Sequence, residues 1–233
     1  MAYDDYEQGE RVQEWLRQNG VAIVVGIVIG LALIFGYRQW NKHQANENID
    51  AATQYQLIQN ALDKGKTSEA DTLTDSLLKN HADSAYAVFA VSLRAQRQLD
   101  AGKADKAVES LTWAVQHADT KPLKDLSRLR LARADLAANK ASEALNALKA
   151  MPAGAYAGLA AELRGDAQVK LGHADEAVNA YKAAMAAFDP TAPQQRILQM
   201  KIDNVATATH AAGKPASHTA AAASSSSSKK QDA

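Results

Sequence analysis

From Gly20 to Tyr37 every residue is apolar or small, and no charge stands between Arg17 and Arg38. As a helix rising about 1.5 Å per residue, this run spans the hydrocarbon thickness of a bilayer with little tilt. A core helix of a soluble protein keeps a polar face, and this run has none. Trp15 and Arg17 edge one end, while Tyr37, Arg38, Trp40 and Lys42 edge the other. Aromatic and basic residues gather in this way where a helix leaves lipid. A cleaved signal peptide carries a shorter apolar region, about 7–15 residues, ahead of a small-x-small cleavage site. The segment GYRQW that ends this run provides no such site. The reading is an uncleaved single-pass anchor over residues 20–37, in contact with membrane lipid.

Gly26 and Gly30 stand at the small-xxx-small spacing that lets two membrane helices approach closely. They are the candidate helix contact within the anchor, although glycine is common in membrane helices generally. Arg11 and Arg17 precede the span and Arg38 and Lys42 follow it, so the basic residues tie. Acidic residues count little in that rule. Charge alone leaves the orientation open.

The residues beyond the anchor suffice for one domain with a sizeable core. Lys and Arg number 26 against 26 Asp and Glu, and no basic stripe marks a nucleic-acid partner. Cysteine is absent, so neither a disulfide nor a thiolate site is available. Alanine is abundant and β-branched runs are scarce after residue 40, which predicts an all-α domain.

Four segments repeat one another: LDKGKTSEA at 62–70, LDAGKADKA at 99–107, LAANKASEA at 136–144 and VKLGHADEA at 169–177. Their pivots, Gly65, Gly102, Asn139 and Gly172, lie 37, 37 and 33 residues apart, and Ala70, Ala107, Ala144 and Ala177 keep the same intervals. Gly and Asn enter the left-handed conformation cheaply at a helix C-terminus. Each segment therefore ends one helix, turns, and starts another whose early alanine allows close packing. The period is near the roughly 34 residues of tetratricopeptide repeats. Seven residues before the pivots stand the small Ala95, Ala132 and Gly165; nine after them stand Leu111, Leu148 and Tyr181. The first unit departs, with Ile58 and Thr74 at those places, as a degenerate or capping repeat does. Arg94 and Arg164 replace the expected leucine, which predicts a slight shift of helix phase there. After Pro190 and Pro193, QQRILQMKIDNVATA reads as a capping helix. The expected architecture is one transmembrane helix, then a tetratricopeptide-like α-solenoid of about four helix pairs plus a cap over residues 38–211. The Ala/Ser-rich residues 212–233 have nothing to bury and read as disordered.

Enzymatic readings fare poorly. Gly65-Lys66-Thr67 ends like a phosphate-binding loop, but the first glycine of that motif would fall at Asn60, after residues that read as helix. The turn recurs at Gly102-Lys103-Ala104, so repeat punctuation accounts for it. The six histidines are scattered without metal-ligand spacing, and no Gly-x-Ser-x-Gly elbow occurs. Asp166 and Glu162 are expected on a repeat helix, solvated or paired with Arg164 or Lys170. No catalytic residue, cofactor or metal is expected. Stacked helix pairs bind partners along a surface lined by their first helices. The pivots place Phe89, Leu126, Leu129 and Leu159 on that surface, with Arg130 and Arg133 nearby, as the candidate protein-binding groove. The alternative is that the leucines are core between repeats.

The order of QEWLRQNG, an anchor ending GYRQW, degenerate tetratricopeptide-like repeats and QMKIDNV in the last helix resembles the YfgM family, to about residue 211. That family comprises ancillary subunits of the SecYEG translocon in Gram-negative bacteria. The resemblance implies residues 1–19 in the cytoplasm, the anchor in the inner membrane and the repeats in the periplasm. It implies association with SecYEG and with a PpiD-type membrane-anchored chaperone, in support of the passage or folding of exported polypeptides. A scaffold of an envelope complex, or a stress-response regulator, is the alternative it leaves open.

Overall fold

Between Gly36 and Gly65 the sequence holds neither glycine nor proline, so nothing in it ends a helix. The computed structural model describes residues 4–149, 151 and 154–212. In it a single helix, α1, runs from Asp4 to Asp63. The expected boundary between residues 37 and 38 is a change of composition and not a break in the backbone. Within α1, Arg17–Gln39 is long and apolar enough to cross a membrane, and none of its apolar window is buried inside the protein. The expectations for residues 1–3 and for the tail after Ala212 fall outside the described residues.

Eight further helices follow among the described residues: α2 (Thr67–Asn80), α3 (Ala85–Asp100), α4 (Ala104–His117), α5 (Lys121–Ala137), α6 (Ala141–Lys149), α7 (Ala157–Leu171), α8 (Ala174–Ala187) and α9 (Gln194–Ala212). No strand occurs among the described residues. The fold is all-α, a candidate transmembrane helix followed by a tetratricopeptide-like helical domain.

The four pivots share one backbone solution. Gly65, Gly102 and Gly172 have φ of 71°, 69° and 79°, and Asn139 is at 60° as the only other described residue with positive φ. At each, the pivot amide donates three residues back and the next amide five back: Gly65 to Leu62 and Lys66 to Ala61, Asn139 to Leu136 and Lys140 to Asp135, with the other two turns alike. This is the Schellman arrangement, which satisfies carbonyls left over at a helix end. The chain then re-enters a helix at once, and Ala70, Ala107, Ala144 and Ala177 are all fully buried.

The contacts divide the chain into two units, one ending at Val91 and the other beginning at Ser92. In the first, α1 packs its C-terminal half on α2 and buries Ala51, Ile58 and Ala61 with Ala70, Thr74 and Leu77. Thr74 departs from the apolar pattern harmlessly, since its buried hydroxyl donates to the Ala70 carbonyl at 2.7 Å. In the second unit, Ala95, Ala107, Leu111 and Ala134 form one cluster. A second gathers Leu129, Ala132, Leu136, Ala144 and Leu148 with Ala160 and Leu163. A third gathers Ala161, Ala177, Tyr181, Ala184 and Leu198, which seats the cap α9 against α8. Gly165 is required where it is: a β-carbon there would overlap the Tyr181 ring.

The shorter last interval of the repeat has a place. Helix α6 has nine residues where α2, α4 and α8 have fourteen. Arg164 occupies the expected leucine site and donates to the carbonyls of Leu148 (2.9 Å) and Met151 (3.2 Å). A guanidinium thus adds a donor to carbonyls at the end of α6, of which Leu148 also accepts from the Met151 amide at 3.1 Å.

Candidate functional site

Helices α5 and α7 each carry apolar and charged residues at helical spacing. Leu126, Arg130, Arg133 and Ala137 recur on one stripe of α5, and Leu159, Glu162, Asp166 and Lys170 on one stripe of α7. The two stripes meet. Between the helices lies a cleft of about 450 Å³, walled on one side by Arg133, Leu136 and Ala137 and on the other by Leu159, Glu162, Leu163, Asp166 and Lys170. Leu159 remains 37 % exposed beside it.

The charges of the cleft are unevenly satisfied. Lys201, from α9, donates to Asp166 Oδ1 and Oδ2 at 2.7 and 3.0 Å and to Glu162 Oε1 at 2.8 Å. The Tyr181 hydroxyl donates to Asp166 Oδ1 at 2.8 Å, and the Lys201 ammonium lies 5.5 Å from the Tyr181 ring centroid. Burial pulls the Lys201 ammonium down, but its bonds to Asp166 and Glu162 outweigh that and leave it above the ordinary lysine range. Burial and the Asp166 carboxylate push the Tyr181 phenol far up. Lys170 donates to Asn139 Oδ1 at 2.9 Å and meets no carboxylate within ion-pair distance among the described residues. Arg130 and Arg133 have no hydrogen-bond or ion-pair partner among the described residues.

Of the groove residues expected from sequence, Arg133 and Leu159 line the cleft. Leu126 and Arg130 are half-buried on α5. Leu129 belongs elsewhere: at 6 % exposure it packs with Ala132, Leu136 and Leu163. The physical reason is its register. It sits three residues before Ala132, on the side of α5 turned toward α6, so the reading of this leucine as core is the correct one. Phe89 lies in the first unit, in a triangle with Tyr55 and Tyr86 whose ring centroids are 5.9 to 6.2 Å apart. All three rings are half-buried. Tyr55 and Tyr86 went unremarked in the sequence, though Tyr86 stands three residues from Phe89 on the same helix face. At Gly26 and Gly30 a β-carbon would meet no atom within 4 Å, so this face of the span is open.

One expectation about charge is revised. Asp166 and Glu162 pair with Lys201 and not with Arg164 or Lys170. Lys201 stands inside QMKIDNV, the string that carried the family resemblance. The Gly65-Lys66-Thr67 turn follows a helix, as repeat punctuation requires, and Lys66 pairs with Glu69 at 3.0 Å.

Residues 13–207 match the family described as a tetratricopeptide repeat-like domain. The chain is 29 % identical over 202 residues to a protein of Escherichia coli (strain K12) named "Ancillary SecYEG translocon subunit", covering 87 % of this chain and 97 % of that one. A protein of the same name from Haemophilus influenzae is 26 % identical over 207 residues, 88 % of this chain and 100 % of its own. A third, from Aggregatibacter actinomycetemcomitans, is likewise 26 % identical over 207 residues. The likeness spans the apolar segment and the repeats together.

Proposed function

The chain belongs to the tetratricopeptide repeat-like domain family, and on that premise we propose that it is an ancillary subunit of the SecYEG translocon. It is a non-enzymatic adaptor, held in the inner membrane by the anchor over residues 20–37, with residues 1–19 cytoplasmic and the repeats periplasmic. The repeats bind protein, either a PpiD-type membrane-anchored chaperone or exported polypeptides. The observation that carries this reading is the extent of the likeness: nearly the full length of relatives bearing the translocon name, anchor and repeats in one order. The fold adds a physical reason. An anchor raises the local concentration of the repeats beside a membrane partner, so that weak contacts suffice for association.

Copurification from membranes opened with a gentle detergent, with a tag at the C-terminus, tests the proposal. The translocon subunits are expected in the eluate of the full chain. They are expected at a much lower level from a variant lacking residues 1–40 that is exported in soluble form. An eluate from the full chain without translocon subunits overturns the reading. Crosslinks to resident envelope proteins alone, with none to newly exported chains, would assign the repeats to a scaffold.

A further inference from the structure

The cleft between α5 and α7 carries more cation than its own carboxylates use. Three cations, Arg133, Lys170 and Lys201, stand against two carboxylates, Glu162 and Asp166, at or beside it. Both carboxylates are taken by Lys201, from α9. Arg133 keeps its full fork of donors, and Lys170 spends one of three on Asn139. Arg130, one turn earlier on α5, adds a further unpaired guanidinium. Beside these cations Leu159 presents an apolar surface that is 37 % exposed among the described residues.

The equivalent positions of α3 and α7 do not repeat this arginine. In α3 the position equivalent to Arg133, six residues before the pivot, is Gln96, which is already bonded to Asp100 at 2.9 Å. In α7 it is Asp166. This cleft therefore sets unspent positive charge next to an open leucine. Its volume of about 450 Å³ falls within the about 300–1,000 Å³ usual for ligand clefts.

Resting on the protein-binding reading above, we propose that this cleft recognises a polypeptide segment with a carboxylate side chain beside an apolar one. The arginine fork of Arg133 receives the carboxylate with help from Lys170, and Leu159 packs the apolar neighbour. A planar guanidinium meets a carboxylate through two parallel bonds, so the contact fixes direction as well as charge. Glu162 and Asp166 on the opposite wall would attract a basic segment, but Lys201 already offsets their charge. The selectivity therefore comes mainly from Arg133 and Lys170.

The full chain in nanodiscs of zwitterionic lipid, titrated with labelled peptides of Ser, Leu and Glu, tests this. The same peptides with Lys for Glu, or Ser for Leu, are the comparisons. The Glu-Leu peptide is expected to bind, more weakly as salt rises, and each comparison peptide to bind at least about tenfold more weakly. Arg133→Gln with Lys170→Gln is expected to lose about tenfold to a hundredfold while melting is unchanged. Leu159→Ser, at an exposed site, should weaken binding without unfolding. Equal binding of the Lys peptide, or undiminished binding by the double variant, overturns the proposal. So does displacement of the peptide by vesicles of anionic lipid, which would assign the cations to a membrane surface. Failure of the peptides with intact translocon copurification sinks this inference alone. Specific peptide capture without copurification upholds the cleft and sinks the translocon reading.

Discussion

Asp135 is 3 % exposed near the C-terminal end of α5, and no hydroxyl among the described residues bonds to it. In the preceding repeat the equivalent Gln98 accepts a bond from Ser110 at 2.9 Å, whereas the position equivalent to Ser110 is Ala147 here. Burial, then the charge of Glu143, raise the Asp135 carboxyl from 3.8 to about 6 against the opposing pull of Lys140. The folded state thus holds the proton more tightly than the unfolded chain. Its cost is absent below about 4, grows as pH rises toward 6, and is full above that. Asp135→Asn should accordingly stabilise the domain at neutral pH by up to about 3 kcal/mol. Denaturation at about pH 7.5 and about pH 3, on either side of the window, checks it, the gain vanishing at the lower value. Lys201 works in the other direction. Lys201→Met leaves Glu162 and Asp166 facing one another without their cation, and a loss of about 1–3 kcal/mol is expected in the same measurement. The sequence displayed both carboxylates but not their partner, because Lys201 lies 35 and 39 residues away on another helix. Spacing along one helix reveals partners three or four residues apart; it is silent on a lysine delivered by the cap.

The helix pairs were the most legible part of the chain. A glycine or asparagine pivot, a buried alanine five residues on and a large apolar residue four beyond that are local requirements of one packing geometry, so they recur visibly. Ala144 shows how tight that geometry is. It is fully buried among Leu129, Ala132 and Leu148, within a cluster built by α5, α6 and α7. Ala144→Trp should overpack this cluster and cost about 1–3 kcal/mol, read as a lower melting temperature with the helical signal retained at low temperature. Two features at this scale were less legible. The end of α6 depends on Arg164 reaching across to its carbonyls, a contact between separate helices. Leu126 and Leu129 look alike in the sequence, yet one is half-buried and the other is core, because three residues turn a helix by most of a revolution less a sixth. The unbroken course of α1 was written in the absence of glycine and proline after Gly36, but a change from apolar to polar composition hid it.

At the scale of the chain, the proposed topology makes a direct statement about access. Protease added outside spheroplasts should trim the C-terminal tail and leave the segment before Arg17 intact, as detected with tags at either end. A protected C-terminus would place the repeats on the other side of the membrane. The charges flanking the span tie, so the proposed orientation follows from the family resemblance and not from the residues. The continuity of α1 bears on motion too. From Gln39 to Asp63 the same helix extends about 36 Å beyond the candidate span, and its far end is the part that packs on α2. A stiff rod carries angle into displacement. If the span changes its tilt by about 10°, the end of α1 moves sideways by about 6 Å, roughly the width of one strand of bound peptide. A neighbouring membrane protein that leans on the span would thereby swing the first helix pair across the membrane surface, without touching it.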